Sequence, residues 1–587
     1  MSRQAQTNAA TQGSAWRLGV VLVGFVLLAV ILAVRASYLQ LFEDEFYRSE
    51  GEARQLRTVA IPAHRGDLLD RTGEPLAIST PIESLWGVPQ RLSEHEGAVA
   101  QISQILDLNA DALMQRISLA AQRGKQFVYL KRHVLPETVA QVMQLDVSGV
   151  SVQREYRRYY PSGAATSHLL GFTDIDERGR EGLEMAYDQW LSGSNGSRRV
   201  IRDRTGREIA GMGIVKPAQA GKDLRLSVDR QLQYFADKAL RDAISRHKAE
   251  SGSVVVMDID TGEIMAMVNY PDYNPNDRAD RSGARLRNRA ITDVFEPGST
   301  MKPFTAAAAL NSGEFNTESM VNTSPGRYQI GEYEISDIRD YGWLDLGAIV
   351  TQSSNVGISK LARQLDPEKM WSVFDAFGFG RPTGSEFPGE VAGYLNHPAV
   401  WHTSEQASVS FGYGISVSAL QLVSAYAALA NDGIMPTISF IANPEPDGGH
   451  RVIDKTVVKK VQPMLESVVT DGSGKRGHVP GYRVAGKTGT SHRSQSGGYS
   501  EDRYISLFAG YAPASNPRYA TVVVIHDPRA GEYFGGVVAA PVFAEVMGHA
   551  LRLGAVEPDA IDSRRALVPV LPAAVFSPTS GLVGDRS

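Results

Sequence analysis

Residues Leu18 to Val34 (LGVVLVGFVLLAVILAV) form a run of 17 residues without one charged or polar side chain. As an α-helix rising about 1.5 Å per residue, the run spans roughly 26 Å, the short end of a bilayer's hydrocarbon core. Trp16, Arg17, Arg35 and Tyr38 flank it, and side chains of these types anchor helix ends at membrane interfaces. A cleaved secretory signal has a shorter apolar stretch, about 7–15 residues, followed by a small-residue cleavage site. The leader carries Arg3 and no acid, whereas Glu43, Asp44 and Glu45 follow the run. The positive-inside rule therefore predicts a cytoplasmic leader (1–17), one transmembrane helix (18–34) and an extracytoplasmic body. No second run of this kind occurs in the sequence.

The body is too long for one core. With 587 residues in all and about 150 residues per domain as a soft prior, three or four domains are expected. Sixty Lys+Arg against 65 Asp+Glu leave a net charge of −5, which argues against a nucleic-acid-binding surface, because such domains carry a basic excess. Cysteine is absent, so disulfides, thiolate nucleophiles and Cys-ligated metal sites are excluded.

Texture changes once along the body. From Gln55 to about Gly221, short strand-like runs alternate with Arg-rich turns, and only Val99 to Leu145 keeps sustained helical spacing. From Lys222 the pattern becomes LRLSV, a helical stretch from Asp229 to about His247, then SVVVMDIDTGEIMAMVN, which reads as two strands joined by a tight turn at Asp260 to Gly262. Strands and Ala-rich helices continue to about Leu553, and the end after Ile561 is Pro/Ser/Ala-rich and reads as loose. The expected division is a membrane-proximal domain over 36–221, a second domain over 222–553 and a tail over 554–587.

Three short segments in the second domain carry chemistry. In VFEPGSTMKPFTAAAALNSG (Val294 to Gly313), Ala306 to Leu310 is a strong helix former, and Asn311 with Gly313 supplies stop signals. Pro303 is tolerated only near a helix start, so the helix is predicted to begin close to Ser299, with Ser299 and Lys302 on one face of its first turn. A serine there feels the positive end of the helix dipole, and a buried amine beside it can lose its proton and act as base. A lone Ser-x-x-Lys arises by chance about once or twice in a chain of this length. It is followed, however, by Ser353-Ser354-Asn355 in a helix-to-helix connection. Further on, Lys487-Thr488-Gly489-Thr490 precedes two strand candidates, Tyr504 to Ala512 and Arg518 to His526. Lys487, Thr488 and Thr490 offer a cation and two hydroxyls to a carboxylate, while Gly489 lets substrate approach the backbone. The ordered triple is the constellation of penicillin-recognising acyl-serine enzymes.

A competing pattern is present. Gly481 to Thr488 (GYRVAGKT) matches the P-loop letter for letter, but a phosphate loop needs an apolar strand before it and a helix immediately after. Here the flanks are polar and Gly-rich, and no helix is predicted. The histidines are scattered without metal-ligand spacing, so no metal and no cofactor is expected. His64, His168 and His402 are read as structural or surface residues.

On these residues the chain resembles the class B penicillin-binding proteins of the division-specific, septal peptidoglycan transpeptidase type, and the resemblance runs from the apolar span to about residue 553. It includes Arg65 to Ala77 (R-G-x-L-x-D-R-x-G-x-x-L-A), Tyr160 to Gly171 (Y-P-x-G-x-x-x-x-H-x-x-G), Gly179 to Glu184 (GREGLE), the catalytic triple and Ser410 to Gly414 (SFGYG). The implied fold is α+β: an elongated pedestal, and a β-lactamase-like domain with a five-stranded antiparallel sheet between helical layers. The resemblance implies Ser299 as nucleophile toward the penultimate D-alanine carbonyl of a peptidoglycan stem peptide and Lys302 as its base. Ser353 would relay a proton to the leaving amine, and Asn355 would hold the substrate amide and orient Lys302. Lys487, Thr488, Gly489 and Thr490 would form the carboxylate site, with the N–H groups of Ser299 and Thr490 as oxyanion hole. β-Lactams would acylate Ser299. Implied partners are a SEDS-type glycosyltransferase and other division proteins, and the implied location is the bacterial inner membrane at the septum, with the body in the periplasm.

Other readings fit less well. A β-lactamase needs a water-activating group, and Glu390, before Leu395-Asn396, is out of spacing for it. A bifunctional glycosyltransferase would need more than the acidic run Glu43 to Tyr47, and a β-lactam-sensing receptor would need a larger cytoplasmic part than the leader. Division and elongation enzymes share their catalysis and differ mainly in partners, so that choice rests on the resemblance.

Overall fold

The apolar run lies within one continuous helix, Ala5–Leu41, of 37 residues. The side chains of Leu18 through Val34 are all exposed. Twenty-six residues of it, Trp16–Leu41, are long and apolar enough to cross a membrane. Arg35 lies 5.5 Å from the Tyr38 ring centroid one turn on, so two interfacial anchors share a face. The computed structural model describes residues 5–41, 56–202, 208–442, 445, 447–495 and 498–560. The acidic run Glu43 to Tyr47 and the tail from Ile561 onward lie outside the described residues.

The chain divides into two compact units: residues 1–64, 81–157 and 193–220 make the first, and residues 65–80, 158–192 and those from 221 onward make the second. In the first, Leu56–Ile61, Gly196–Arg202 and Glu208–Lys216 form a three-stranded antiparallel sheet. Helices Glu96–Ile105, Ala110–Gln122 and Pro136–Met143 enclose a separate core of Leu85, Leu92, Ile102, Ile117, Leu130 and Val139. The helical spacing read over Val99 to Leu145 is interrupted by a strand, Val128–Val134. Gly124, with φ +65°, turns the chain out of the preceding helix. Phe127 then stacks on Trp86 at 4.9 Å, which commits the following residues to pairing with residues 83–87. Apolar side chains at mixed spacing could not distinguish these outcomes.

The second unit is built on five strands: β1 Ser251–Asp258, β2 Ile264–Tyr270, β3 Ala485–Gln495, β4 Gly498–Ala512 and β5 Tyr519–His526. They order as β2-β1-β5-β4-β3, all antiparallel. The helices that matter are α1 Arg230–His247, α2 Lys302–Ser312, α3 Leu346–Gln352, α4 Asn355–Ala362, α5 Ala419–Ala430 and α6 Ala540–Leu553. Alternate strand residues serve opposite cores. Val254, Val256, Val523 and Ile525 pack with α1 and α6, while Val255, Met257, Val522 and Val524 pack with α2 and α5. Both faces of the sheet are therefore covered, which is why β1 reads as an unbroken apolar run rather than an alternating one. All 12 residues of α5 are buried, as expected for a helix apolar on every side. Ser418 and Gln421 close a reciprocal capping box at its start.

The signature residues Arg65 and Glu184 meet inside this unit. Arg65 Nε donates to Glu184 Oε2 at 2.9 Å and its Nη1 to Asp188 at 2.7 Å. Arg158 Nε donates to Glu184 Oε1 at 2.7 Å, and its Nη1 to the Gly66 carbonyl at 2.8 Å. Glu184 is fully buried and Arg65 is 1 % exposed. Asp70, also in the first signature, accepts the N–H groups of Thr72 and Glu74 at 2.8 and 2.9 Å and fixes the turn. Removing one member strands buried guanidinium charge, which costs about 3–5 kcal/mol. Glu184→Ala is therefore expected to destabilise the second unit by that amount, read as a lowered denaturation midpoint, while Glu177→Ala, whose carboxylate accepts from Ser79 Oγ and bridges no guanidinium pair, costs less. Equal effects would contradict the assignment.

Candidate active site

The missing N–H of Pro303 shapes the turn that carries Ser299. The helix does not begin at Ser299 as the spacing predicts: α2 starts at Lys302, and Gly298–Met301 forms a 3₁₀ turn before it. An α-helical first turn would need residue 303 to donate to the Ser299 carbonyl, and proline cannot. That carbonyl instead accepts from the Lys302 N–H, three residues on. In a 3₁₀ turn, side chains at i and i+3 eclipse, so Lys302 Nζ stands 3.0 Å from Ser299 Oγ. Gly313, with φ +75°, ends the helix. Tyr426 on α5 donates to the Thr300 carbonyl at 2.9 Å, holding the turn from beneath. Gly412, in the SFGYG signature, has φ +88°, and a Cβ there would stand 2.1 Å from the Gly298 carbonyl. Only glycine lets the two segments touch.

Ser353 and Asn355 flank the junction of α3 and α4, as the sequence suggests. Ser353 has φ +60°, an uncommon left-handed conformation for a residue with a side chain. It ends α3, and the neighbouring N–H of Ser354 returns to the Ile349 carbonyl at 3.0 Å. The start of α4 is tied down by Asp337, which accepts from the Asn355 and Val356 N–H groups at 2.5 and 3.1 Å and from Ser354 Oγ at 2.5 Å. Asp337 was not legible in the sequence, because it belongs to no motif and lies 18 residues before Asn355.

Lys487 precedes β4 and β5, as the pattern implies, and itself lies within the edge strand β3. Its Nζ reaches Ser353 Oγ at 3.0 Å. A strand and not a helix follows Lys487-Thr488, which removes the P-loop reading. The Thr488 hydroxyl shares a proton with Ser473 at 2.6 Å, and Thr490 Oγ1 accepts from the Gly535 N–H at 3.0 Å. The Thr490 proton is thus free to be donated. A Cβ on Gly489 would meet the Pro297 carbonyl at 2.9 Å and Thr300 Cγ2 at 3.0 Å, so the glycine there admits the Ser299 turn itself.

Lys302 is fully buried, with four oxygens within reach. They are the Ser353 carbonyl (2.6 Å), Asn355 Oδ1 (2.7 Å), Ser299 Oγ (3.0 Å) and Ser353 Oγ (3.1 Å). The first two only accept hydrogen bonds. A neutral amine has two hydrogens for them and a lone pair left for the hydroxyls. Burial pulls Lys302 well below the ordinary lysine range, the charge of Lys487 lowers it further, and Asp337 opposes. Burial alone brings Lys487, also fully buried, down to about 7.

Two other expectations resolve. His168 is buried, with Nε2 2.7 Å from the Arg285 carbonyl and its ring edge-on to Tyr273; burial lowers it to about 4, so it is a neutral structural residue. The Glu390 carboxylate is occupied by the Thr383 N–H at 2.6 Å and Ser385 Oγ at 2.9 Å.

Known proteins bear on this geometry. The family model of the penicillin-binding protein transpeptidase domain matches residues 252–548, and that of the penicillin-binding protein dimerisation domain matches residues 60–226. The chain is 40 % identical to the peptidoglycan D,D-transpeptidase FtsI of Escherichia coli strain K12, over 93 % of this chain and 93 % of the relative. It is 39 % identical to the probable peptidoglycan D,D-transpeptidase PbpC of Pseudomonas aeruginosa, over 94 % and 98 %. Among solved structures, penicillin-binding protein 3 of Mycobacterium tuberculosis, determined with aztreonam, aligns with TM-score 0.66 and 27 % identity over 85 % of this chain and 98 % of that one. The transpeptidase domain of Burkholderia pseudomallei penicillin-binding protein 3 aligns with TM-score 0.53 and 38 % identity over 57 % and 98 %. A pedestal-type domain, a two-faced five-stranded sheet and the Ser-Lys, Ser-Asn and Lys-Thr-Gly elements thus coincide with this similarity, and the chain belongs to the class B penicillin-binding proteins of the FtsI type.

Proposed function

We propose that this protein is a peptidoglycan D,D-transpeptidase that cross-links stem peptides during septum synthesis, through an acyl-enzyme on Ser299. The observation that carries the reading is the buried amine of Lys302 within 3.0 Å of Ser299 Oγ, its two hydrogens matched by the Ser353 carbonyl and Asn355 Oδ1. Lys302 takes the Ser299 proton as Oγ attacks the penultimate D-alanine carbonyl. The oxyanion is held by the N–H groups of Ser299 and Thr490. Ser353, hydrogen-bonded to both lysines, passes the proton to the departing D-alanine nitrogen as the C–N bond breaks.

Lys487, with Thr488 and Thr490, receives the terminal carboxylate. A lysine poised near 7 in the free protein is held charged once a carboxylate arrives beside it. Asn355 holds the substrate amide, and the amine of a second stem peptide resolves the ester into the cross-link. β-Lactams enter by the same route and leave Ser299 acylated. The Glu390 carboxylate, the nearest sequence match to a water-activating group, is occupied by Thr383 and Ser385, which favours a long-lived adduct. The N-terminal helix anchors the chain in the inner membrane, leader inside and body in the periplasm, where a SEDS-type glycosyltransferase and other division proteins are its partners.

Incubation with a β-lactam and peptide mass analysis is expected to place the adduct on Ser299. Ser299→Ala should abolish it, and Lys302→Ala should slow acylation by about 10²–10⁴-fold, the contribution of a positioned base. An adduct on another residue would sink the mechanism. Because Lys302 must be neutral to act, acylation rises with pH through its titration. The Asp337 charge favours the protonated form, so Asp337→Asn should move this acidic limb to lower pH. A shift to higher pH would contradict the assigned role. Depletion in cells should give filaments if the role is division, and round cells would point to elongation.

A further inference from the structure

Glu296 is a carboxylate without a counter-charge, three residues before the nucleophile. Its Oε1 accepts from the Gly414 N–H at 2.8 Å and the Tyr499 hydroxyl at 2.9 Å. Its Oε2 is out of contact with solvent and has no hydrogen-bond partner. Among the described residues, no Lys or Arg forms an ion pair with it. Its backbone is fixed to the site on two sides. Ser491 Oγ, next to Thr490, donates to the Glu296 carbonyl at 2.8 Å, and Gly298, two residues on, donates to the Gly412 carbonyl at 3.1 Å. Burial raises its titration above the ordinary carboxylate range, against the two donated hydrogen bonds. A buried carboxylate oxygen with neither donor nor cation is costly unless a ligand supplies one.

The geometry points to Glu296 as the residue that receives the acceptor amine, in its ammonium form, and takes its first proton. This rests on the transpeptidase reading above. The second substrate of a cross-linking enzyme is a primary amine that is charged at neutral pH and cannot attack until it loses a proton. The ammonium supplies the donor that Oε2 lacks, and Tyr499, 49 % exposed, is the side chain that moves aside to admit it. The N–H proton passes to Oε2. The neutral nitrogen forms a bond to the acyl carbon, the bond from that carbon to Ser299 Oγ breaks, and the second amine proton returns to Oγ through Lys302. One ammonium, one ester and one carboxylate thus give one amide, one serine hydroxyl and one carboxylic acid, which then releases its proton to water. Acylation needs no such group, so Glu296 acts in the second half of the reaction only.

The test measures how the acyl-enzyme partitions. The full-length protein in detergent is acylated with a thioester analogue of an acyl-D-alanine donor, and the ratio of aminolysis to hydrolysis is taken with two acceptors: a D-amino acid, whose amine is charged at neutral pH, and hydroxylamine, which is uncharged. The ratio is set after acylation and is independent of its rate. Glu296→Gln keeps the volume and the Oε1 acceptor but not the base. It is expected to lower the ratio for the D-amino acid by about 10²-fold, the low end of what a positioned base contributes, and to leave the hydroxylamine ratio unchanged. An unchanged ratio for the D-amino acid overturns the inference, and so does an equal loss with hydroxylamine, which would mark a purely positional role. If the variant does not fold, Tyr499→Phe decides: removing one of the two hydrogen bonds to Oε1 should raise the D-amino acid ratio alone, and a ratio that stays put overturns the inference. Absence of any acyl-enzyme on Ser299 would instead count against the transpeptidase reading.

Discussion

Two lysine amines, both buried from solvent, share one serine hydroxyl, and the rest of the active site is arranged around that. Lys302 Nζ and Lys487 Nζ stand 3.1 and 3.0 Å from Ser353 Oγ. They are therefore no more than about 6 Å apart, where two positive charges repel by roughly 3 kcal/mol at an effective dielectric of about 20. Both are also fully buried, so the charged forms lose their hydration as well. Both costs favour the neutral form of at least one of the pair, and a neutral lysine is a base. In the proposed mechanism, burial and like charge supply the base at neutral pH.

The fold holds this unfavourable arrangement by over-determining its surroundings. Pro303 imposes the 3₁₀ turn that eclipses Ser299 and Lys302. Asp337 clamps the start of α4 and so the Asn355 amide. The left-handed backbone at Ser353 aims its hydroxyl and carbonyl toward the same amine. The fully buried α5 and the sheet supply the rigid support beneath. Strain of about 1–3 kcal/mol at a residue such as Ser353 persists only in a framework of this kind.

The Arg65–Glu184–Arg158 cluster shows the opposite treatment of buried charge. There each guanidinium meets a carboxylate at 2.7 to 2.9 Å, and the result is a fixed joint rather than a reactive group. Unpaired amines at Lys302, an uncompensated carboxylate at Glu296 and paired ions at Glu184 are three outcomes of one physical cost. The difference lies only in whether the chain supplies the partner or leaves it to a substrate.

Much was legible in the amino-acid sequence alone. The apolar run required a helix, because a single segment in lipid can satisfy its backbone groups internally in no other way. Pro303, the alanines and Gly313 placed a helix start near Ser299, and three spaced motifs named the polar residues that converge. Other features were settled only by tertiary contacts. The 3₁₀ turn, the strand through Val128–Val134 and the placement of Lys487 inside an edge strand depend on which partner accepts each hydrogen bond. Asp337 and Glu296 carry no motif, because their roles are set by groups far along the chain: Asp337 meets Asn355, and Glu296 meets Gly414 and Tyr499. The sequence by itself determined which chemical groups exist and which local backbone each permits. Their protonation behaviour was decided only by the tertiary structure, because burial lowers Lys487, burial and neighbouring charges set Lys302, and neither exists until the chain has folded around them.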